Sequence, residues 1–147
     1  MEIDKKDQDI INVLIDDSRL SYRKIAKKVD LSVATVLNRI KRLEKENIIK
    51  GYSAIVDYEK LGYDVWVIIQ IRISKGKLLD VEQKIATHPN VFIVYDHTGD
   101  FDATIVAKFK SRKLMDNFLK KIQTYDFVER TETKLILNTL KEDQIKL

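Results

Sequence analysis

Two short helical stretches separated by a tight turn constrain this chain more than any other feature. Leu20-Ser21 opens a stretch Tyr22–Val29, Asp30-Leu31 turns the chain, and Ser32 opens a second stretch from Val33 to Leu43. Two helices joined by three or four residues have the spacing of a helix-turn-helix, whose second helix can enter a DNA major groove. Ser21 and Ser32 each stand where a side-chain oxygen can cap the helix that follows. Leu20 with Ile25, and Leu31 with Val36, occupy the two positions of a hydrophobic staple.

The second helix sorts its residues into two faces. At about 100° per residue, Val33, Val36, Leu37, Ile40 and Leu43 fall within an arc of roughly 120°. Thr35, Asn38, Arg42 and Lys45 lie opposite, with Arg39 and Lys41 on the borders. The polar arc carries what DNA reading requires: long cations for phosphates and guanine edges, an amide for adenine, and a small hydroxyl. A surface helix with a solvated face would look the same in isolation, but here the charge is concentrated. Residues 19–45 hold nine Lys/Arg against two acids, a net +7 in a chain whose total is +4. A basic island in an otherwise slightly acidic chain is the electrostatic footprint of a polyanion partner.

A length of 147 residues allows one domain or two small ones. No apolar run approaches a membrane span, because Gln70 and Arg72 interrupt the stretch after Val65. The polar, acidic start (Met1-Glu2-Ile3-Asp4) is no signal peptide, so a cytoplasmic protein is expected. With no Cys there is no disulfide framework and no thiolate metal site. Abundant Lys and Ile with only 4 Gly and 1 Pro resemble proteins of hot-growing organisms, although AT-rich coding produces the same bias.

Ahead of the motif, Asp4 can cap a helix reaching about Asp16, with Asp7 in its first turn and Ile10, Ile11, Leu14 and Ile15 as an apolar stripe. Asn47 is placed to take the left-handed conformation that ends the third helix. Ile48–Val56 reads as two short extended segments around Lys50-Gly51, a small wing. Beyond it the rhythm changes. Val65, Val67, Ile69, Ile71 and Ile73 alternate as a strand face. Leu78, Val81 and Ile85 then repeat at helical spacing, Pro89-Asn90 breaks the chain before a strand over Val91–Thr98, and Gly99-Asp100 turns into a strand over Phe101–Phe109. A helix from Ser111 to about Gln123 follows, with Leu114, Met115, Phe118, Leu119 and Ile122 inward, and a last strand runs from Phe127 to about Leu137. Strand-helix-strand-strand-helix-strand is the order of a ferredoxin-like sandwich. The expected class is α+β: a winged helix-turn-helix domain over residues 1–56, a linker over 57–63, and a ferredoxin-like βαββαβ domain over 64–147.

The open face of that sheet should present some of Trp66, Ile68, Phe92, Val94, Val106, Leu135 and Leu137. An apolar face with no helices over it needs cover, and a second copy of the chain is the simplest. A homodimer would also supply two recognition helices for a pseudo-palindromic operator. Catalysis is not expected. His88 and His97 have no partner at metal-ligand spacing. Asp96, Asp100 and Asp102 are joined by no nucleophile motif and no phosphate-cradling loop.

The chain resembles the Lrp/AsnC (leucine-responsive regulatory protein) family of transcriptional regulators over nearly its whole length. The resemblance rests on Ile3-Asp4-Lys5-Lys6-Asp7 with Ile10-Ile11, Arg19-Leu20-Ser21 leading to Ile25-Ala26, and Leu31-Ser32. It continues through Arg39-Ile40-Lys41-Arg42-Leu43-Glu44, Ile48-Ile49-Lys50-Gly51-Tyr52 and Thr98-Gly99-Asp100-Phe101-Asp102. Asp30 and Asn47 stand where the family usually has Gly, and both tolerate left-handed backbone better than other side chains. The resemblance implies a DNA-binding regulator, archaeal or thermophilic in character, that dimerises through its C-terminal domain and can assemble to an octamer. The face expected on double-stranded DNA is Ser21, Tyr22, Ser32, Ala34, Thr35, Asn38, Arg39 and Arg42. An amino acid or related small effector is expected at Thr98, Gly99, Asp100, Phe101 and Asp102, with Thr131 and Thr133 as further contacts. No cofactor and no metal is implied. The alternative is a helix-turn-helix protein-interaction or architectural DNA-binding module without effector response.

Overall fold

The computed structural model describes residues 2–147, for Glu82 the backbone alone; Met1, first residue of the expected helical domain, lies outside them. Helix α1 spans Lys5–Asp16. It starts with a capping box built from two aspartates: the Asp4 carboxylate accepts the Asp7 amide at 2.8 Å, and Asp7 accepts the Asp4 amide at 3.2 Å. Helices α2 (Tyr22–Val29) and α3 (Val33–Lys45) start at Ser21 and Ser32, whose hydroxyls accept the amides of Lys24 and Thr35. Asp30 and Asn47 both take left-handed backbone, at φ of 54° and 55°. Ile10, Ile25, Ala26, Val29, Val36 and Ile40 form the shared core, with Val13, Leu14, Leu20 and Leu31 at its margin. Val33 departs from expectation. It is 44% exposed, because it occupies the first helical position and burial begins a turn later at Val36.

The expected wing forms no ladder. The amides of Ile48 and Ile49 both return to the Leu43 carbonyl, at 2.9 and 3.2 Å, so this stretch finishes α3 instead of starting a strand. Residues 51–57 carry neither helix nor strand, and Ile55 is 99% exposed. A two-stranded ribbon this short has too little to bury to hold by itself.

The second unit is a four-stranded antiparallel sheet. Strands β1 (Val65–Ile73), β2 (Val91–Asp96), β3 (Ala103–Phe109) and β4 (Val128–Leu135) lie in the order β2-β3-β1-β4. Helix α4 (Leu78–Val81), which runs on as a π turn over Glu82–Ala86, and helix α5 (Arg112–Gln123) supply residues to one face. There Val81, Ile85, Phe118 and Ile122 close a core with Val67, Ile69, Ile71, Ala103, Ile105, Ala107, Phe109 and Phe127. Leu78 and Leu114, expected inward, are exposed at the starts of their helices. β3 begins at Ala103, two residues later than expected, because 97–102 form a loop closed by the His97 amide on the Asp102 carbonyl.

Register corrects the composition of the open face. Val94 packs into the core cluster, Leu135 pairs with Val67 and so shares its face, and Leu137 lies beyond the end of β4. Trp66, Ile68 and Val106 keep the open side, Ile68 and Val106 being direct partners. Charge is interleaved with them. Lys134 donates to Gln70 at 2.8 Å and pairs with Glu132 at 3.0 Å. Lys108, only 6% exposed, holds its ammonium 3.6 Å from the Trp66 ring centre, 4.2 Å from Phe92 and 4.6 Å from Tyr58.

Contacts divide the chain into two compact units, one extending to Ile55 and the other covering Val56–Leu140. Lys141–Leu147, expected with the sheet, groups with the helices. Asn12 exchanges two 2.8 Å hydrogen bonds with the Leu147 backbone, and Lys146 reaches Asp16 at 2.6 Å. Among the described residues no helix is long and apolar enough to cross a membrane.

Candidate nucleic-acid interface and effector loop

Along α3, Thr35, Asn38, Arg39 and Arg42 stand at positions i, i+3, i+4 and i+7, which brings their side chains to one side of the helix. They line an open hollow of about 290 Å³. The lip at the helix start is ordered: the Ser32 hydroxyl takes the Thr35 amide at 3.0 Å and stands 2.8 Å from the Thr35 hydroxyl. Ser21 is likewise committed to its cap, with the Lys24 amide at 3.4 Å. Tyr22 and Ala34 are exposed. The four hollow-lining residues thus come together, while Ser21 and Ser32 serve first as caps.

The two arginines have partners that periodicity does not reveal. Arg39 Nη1 reaches Asp4 at 2.7 Å and Asp7 at 2.8 Å, and Arg42 Nη2 reaches Asp7 at 2.6 Å. The Asp7 side chain is fully buried, whereas Arg39 and Arg42 keep 24% and 42% of theirs exposed. The Arg39 guanidinium holds the Asp4 carboxyl below its usual range, and Asp4 with Asp7 raises Arg39 in return. Acids so far upstream of their partners leave no periodic signal; only the tertiary pairing of α1 with α3 joins them.

In the sheet unit, the loop between β2 and β3 reaches the end of β1. The Asp102 carboxylate accepts the Ile73 amide at 2.7 Å, where the register of β1 against β4 shifts, and the Asp102 amide donates to Ile71 at 3.0 Å. Asp102 is therefore first a strand-end cap. Phe101 is buried, with the Arg130 guanidinium 5.2 Å from its ring centre. The Asp100 carbonyl accepts from Arg72 at 3.4 Å, and Thr98, Gly99 and Asp100 are exposed. Gly99 adopts φ 130°, a conformation side chains rarely enter. Thr131 and Thr133 pair with Ile71 and Ile69 across β1, and Thr131 accepts from Gln123 at 3.3 Å. They are one strand removed from the loop and share the face of the core isoleucines. Arg72 and Arg130, direct partners in the β1–β4 ladder, are the cations nearest this loop by register, and the sequence pattern alone does not single them out. Their signal is a strand position opposite the alternating core face. Among the described residues no cluster of three His, Asp or Glu is placed to hold a metal.

Comparison with known proteins matches the chain in two stretches. A family model described as winged helix-turn-helix DNA-binding matches residues 3–50, and one described as the Lrp/AsnC ligand binding domain matches residues 66–145. The chain is 46% identical to an HTH-type transcriptional regulator of Pyrococcus furiosus, covering 97% of each. It is 36% identical to the regulator FL11 of the same organism, over 96% of this chain and 91% of that one. Among solved structures, Escherichia coli AsnC superposes with a TM-score of 0.91 at 29% identity over the full length of both. A Neisseria meningitidis transcriptional regulator in complex with L-Met superposes at 0.92 with 25% identity, covering 99% and 96%.

Proposed function

The chain belongs to the Lrp/AsnC family of transcriptional regulators, and from that premise we propose that it reads operator DNA with the Thr35–Arg42 face of α3 and answers to an amino acid at the 98–102 loop. The observation that carries the reading is the hollow on α3, where a hydroxyl, an amide and two guanidinium groups converge within the most basic segment of the chain. Tyr22 and Ala34 border this face, and Ser21 and Ser32 bring their helix N-termini toward phosphates.

The class of effector follows from the materials of the loop. An amino acid offers a carboxylate and an ammonium. Arg72 and Arg130 match the first; the exposed Asp100 matches the second, with Thr98 and the backbone around Gly99 as hydrogen-bonding partners. Asp102 keeps one oxygen on Ile73 and has the other to offer. Phe101 supports the loop from within, and Thr131 and Thr133 stand further off. That a protein of the same fold holds L-Met supports an amino acid as the class. The protein acts in the cytoplasm as a homodimer or a higher assembly such as an octamer, since two half-sites need two recognition helices. The family is one of regulators, not of enzymes.

Duplexes selected by the protein from a random pool, followed by gel retardation at rising salt with each common amino acid in turn, test the reading. Retardation should weaken linearly with log salt, and at least one amino acid should move the midpoint. Arg39→Ala and Arg42→Ala should each weaken binding to the selected duplex, by about 1–3 kcal/mol where a bidentate base contact is lost. Selection without enrichment, and no response to any amino acid, would instead establish an architectural binder.

A further inference from the structure

The arginines of the α3 face are not loose. Both converge on one buried carboxylate, and Asp7 uses both of its oxygens: Oδ1 takes Arg39, while Oδ2 takes Arg42 and the Asp4 amide. Asp7 is fixed in turn by the capping box at the start of α1, and Asp4 adds a second carboxylate to Arg39 at 2.7 Å. We propose that Asp7, with Asp4 beside it, is a positioning residue for DNA reading: it holds the Arg39 and Arg42 guanidinium groups as a fixed fork beside Thr35 and Asn38, so that they discriminate bases instead of gathering phosphates. The inference rests on the proposed role of the α3 face.

A guanidinium carries five N–H donors in one plane. Arg39 commits Nη1 to the two carboxylates, and Arg42 commits Nη2 to Asp7; one end of each guanidinium is thereby held, and both side chains line the hollow. An untethered arginine on a helix can follow any phosphate within reach, and such contacts carry no sequence information. The aspartates alter that balance in two ways. They remove rotamer freedom from the groups that must match a base edge, and they offset positive charge where the phosphate field is strongest. Packing alone does not call for the arrangement. The core of the helical unit is apolar, and a single arginine would suffice to neutralise one buried carboxylate.

The test uses the full chain, a duplex that the parent protein has selected from a random pool, and an unselected random duplex of the same length. Asp7→Asn should lower affinity for the selected duplex about tenfold, within the range for one bidentate contact. Binding to the random duplex should hold or rise, with a log–log salt slope steeper by about one for each freed arginine that takes up a phosphate. Asp4→Asn preserves the helix cap and should shift both readouts in the same direction by less, which carries the test if Asp7→Asn does not fold. In an Arg42→Ala background, Asp7→Asn should lose little further discrimination, because the pair acts as a unit. Equal losses on both duplexes, or unchanged discrimination in both variants, overturn the proposal. Arg39→Ala and Arg42→Ala binding like the parent would instead remove the α3 face itself as the reading surface.

Discussion

Arg39 shares its guanidinium between two carboxylates in different surroundings, and the difference decides what each contributes. Asp4 is half exposed, so water screens its pair, and its worth lies more in geometry than in stability. Asp7 is sealed from solvent, where a charge is tolerated only with partners on its oxygens, and both are occupied. His88 shows the reverse case of a group kept neutral. Burial against Phe118, with a centroid distance of 4.5 Å, pushes its pKa below the ordinary 6.5, and the nearby Lys121 charge adds to the shift. Its Nδ1 accepts the Asn90 amide at 3.2 Å, which also requires the neutral ring on that side. Below about pH 6.5 the unfolded chain takes up this proton before the native one does. Stability should therefore fall as pH drops below 6.5, levelling only once the native value is passed. Thermal melts of the parent and His88→Gln across that window check it; the variant should show the shallower decline, and parallel curves would refute the assignment.

Helix ends rather than helix middles set the shape of the reading head. Asp30 and Asn47 accept left-handed backbone where glycine would be easier, and the turns survive as expected from two short polar side chains. Ser32 does more than end a turn. It caps α3, meets the Thr35 hydroxyl, and so orders one rim of the hollow. Ser32→Ala should cost about 1 kcal/mol of stability, the usual value of such a cap. Denaturant melts measure that loss, and a change below a few tenths would mean that Thr35 or water replaces the cap. The Gly99-Asp100 pair points to a tight hairpin turn, but the loop over 97–102 is broader. Its attachment to the end of β1 depends on Asp102 reaching Ile73, a contact between elements far apart in sequence.

For the molecule as a whole, the proposed dimer rests on the open sheet face. Register leaves Trp66, Ile68 and Val106 there, but Lys134, Glu132 and Gln70 link across the same side. A covering partner must therefore meet both apolar and charged rows, as a two-fold copy with the same rows can. Val106→Asp should dissociate the proposed dimer by placing a carboxylate amid that apolar patch. Sedimentation at micromolar concentration compares it with the parent, and a parent that is already monomeric would sink the dimer.

The sequence by itself determined the helices, the four sheet strands and their order, because those depend on local chemistry. Periodicity marked the alternating core of β1, Ser21, Ser32 and Ser111 announced their helices, and the change of rhythm after Tyr63 separated helices from sheet. It also found the α3 face, since residues that share one side of a helix are neighbours whatever surrounds them. Tertiary structure decided what depends on which distant residue comes near. Register moved Val94 and Leu135 off the open face. The Leu43 carbonyl took the amides of Ile48 and Ile49, so that stretch starts no strand. A buried aspartate at the start of α1 took hold of the two arginines. A pairing across 32 or 35 positions of chain has no periodicity to betray it; it exists only once the apolar core has brought α1 and α3 together.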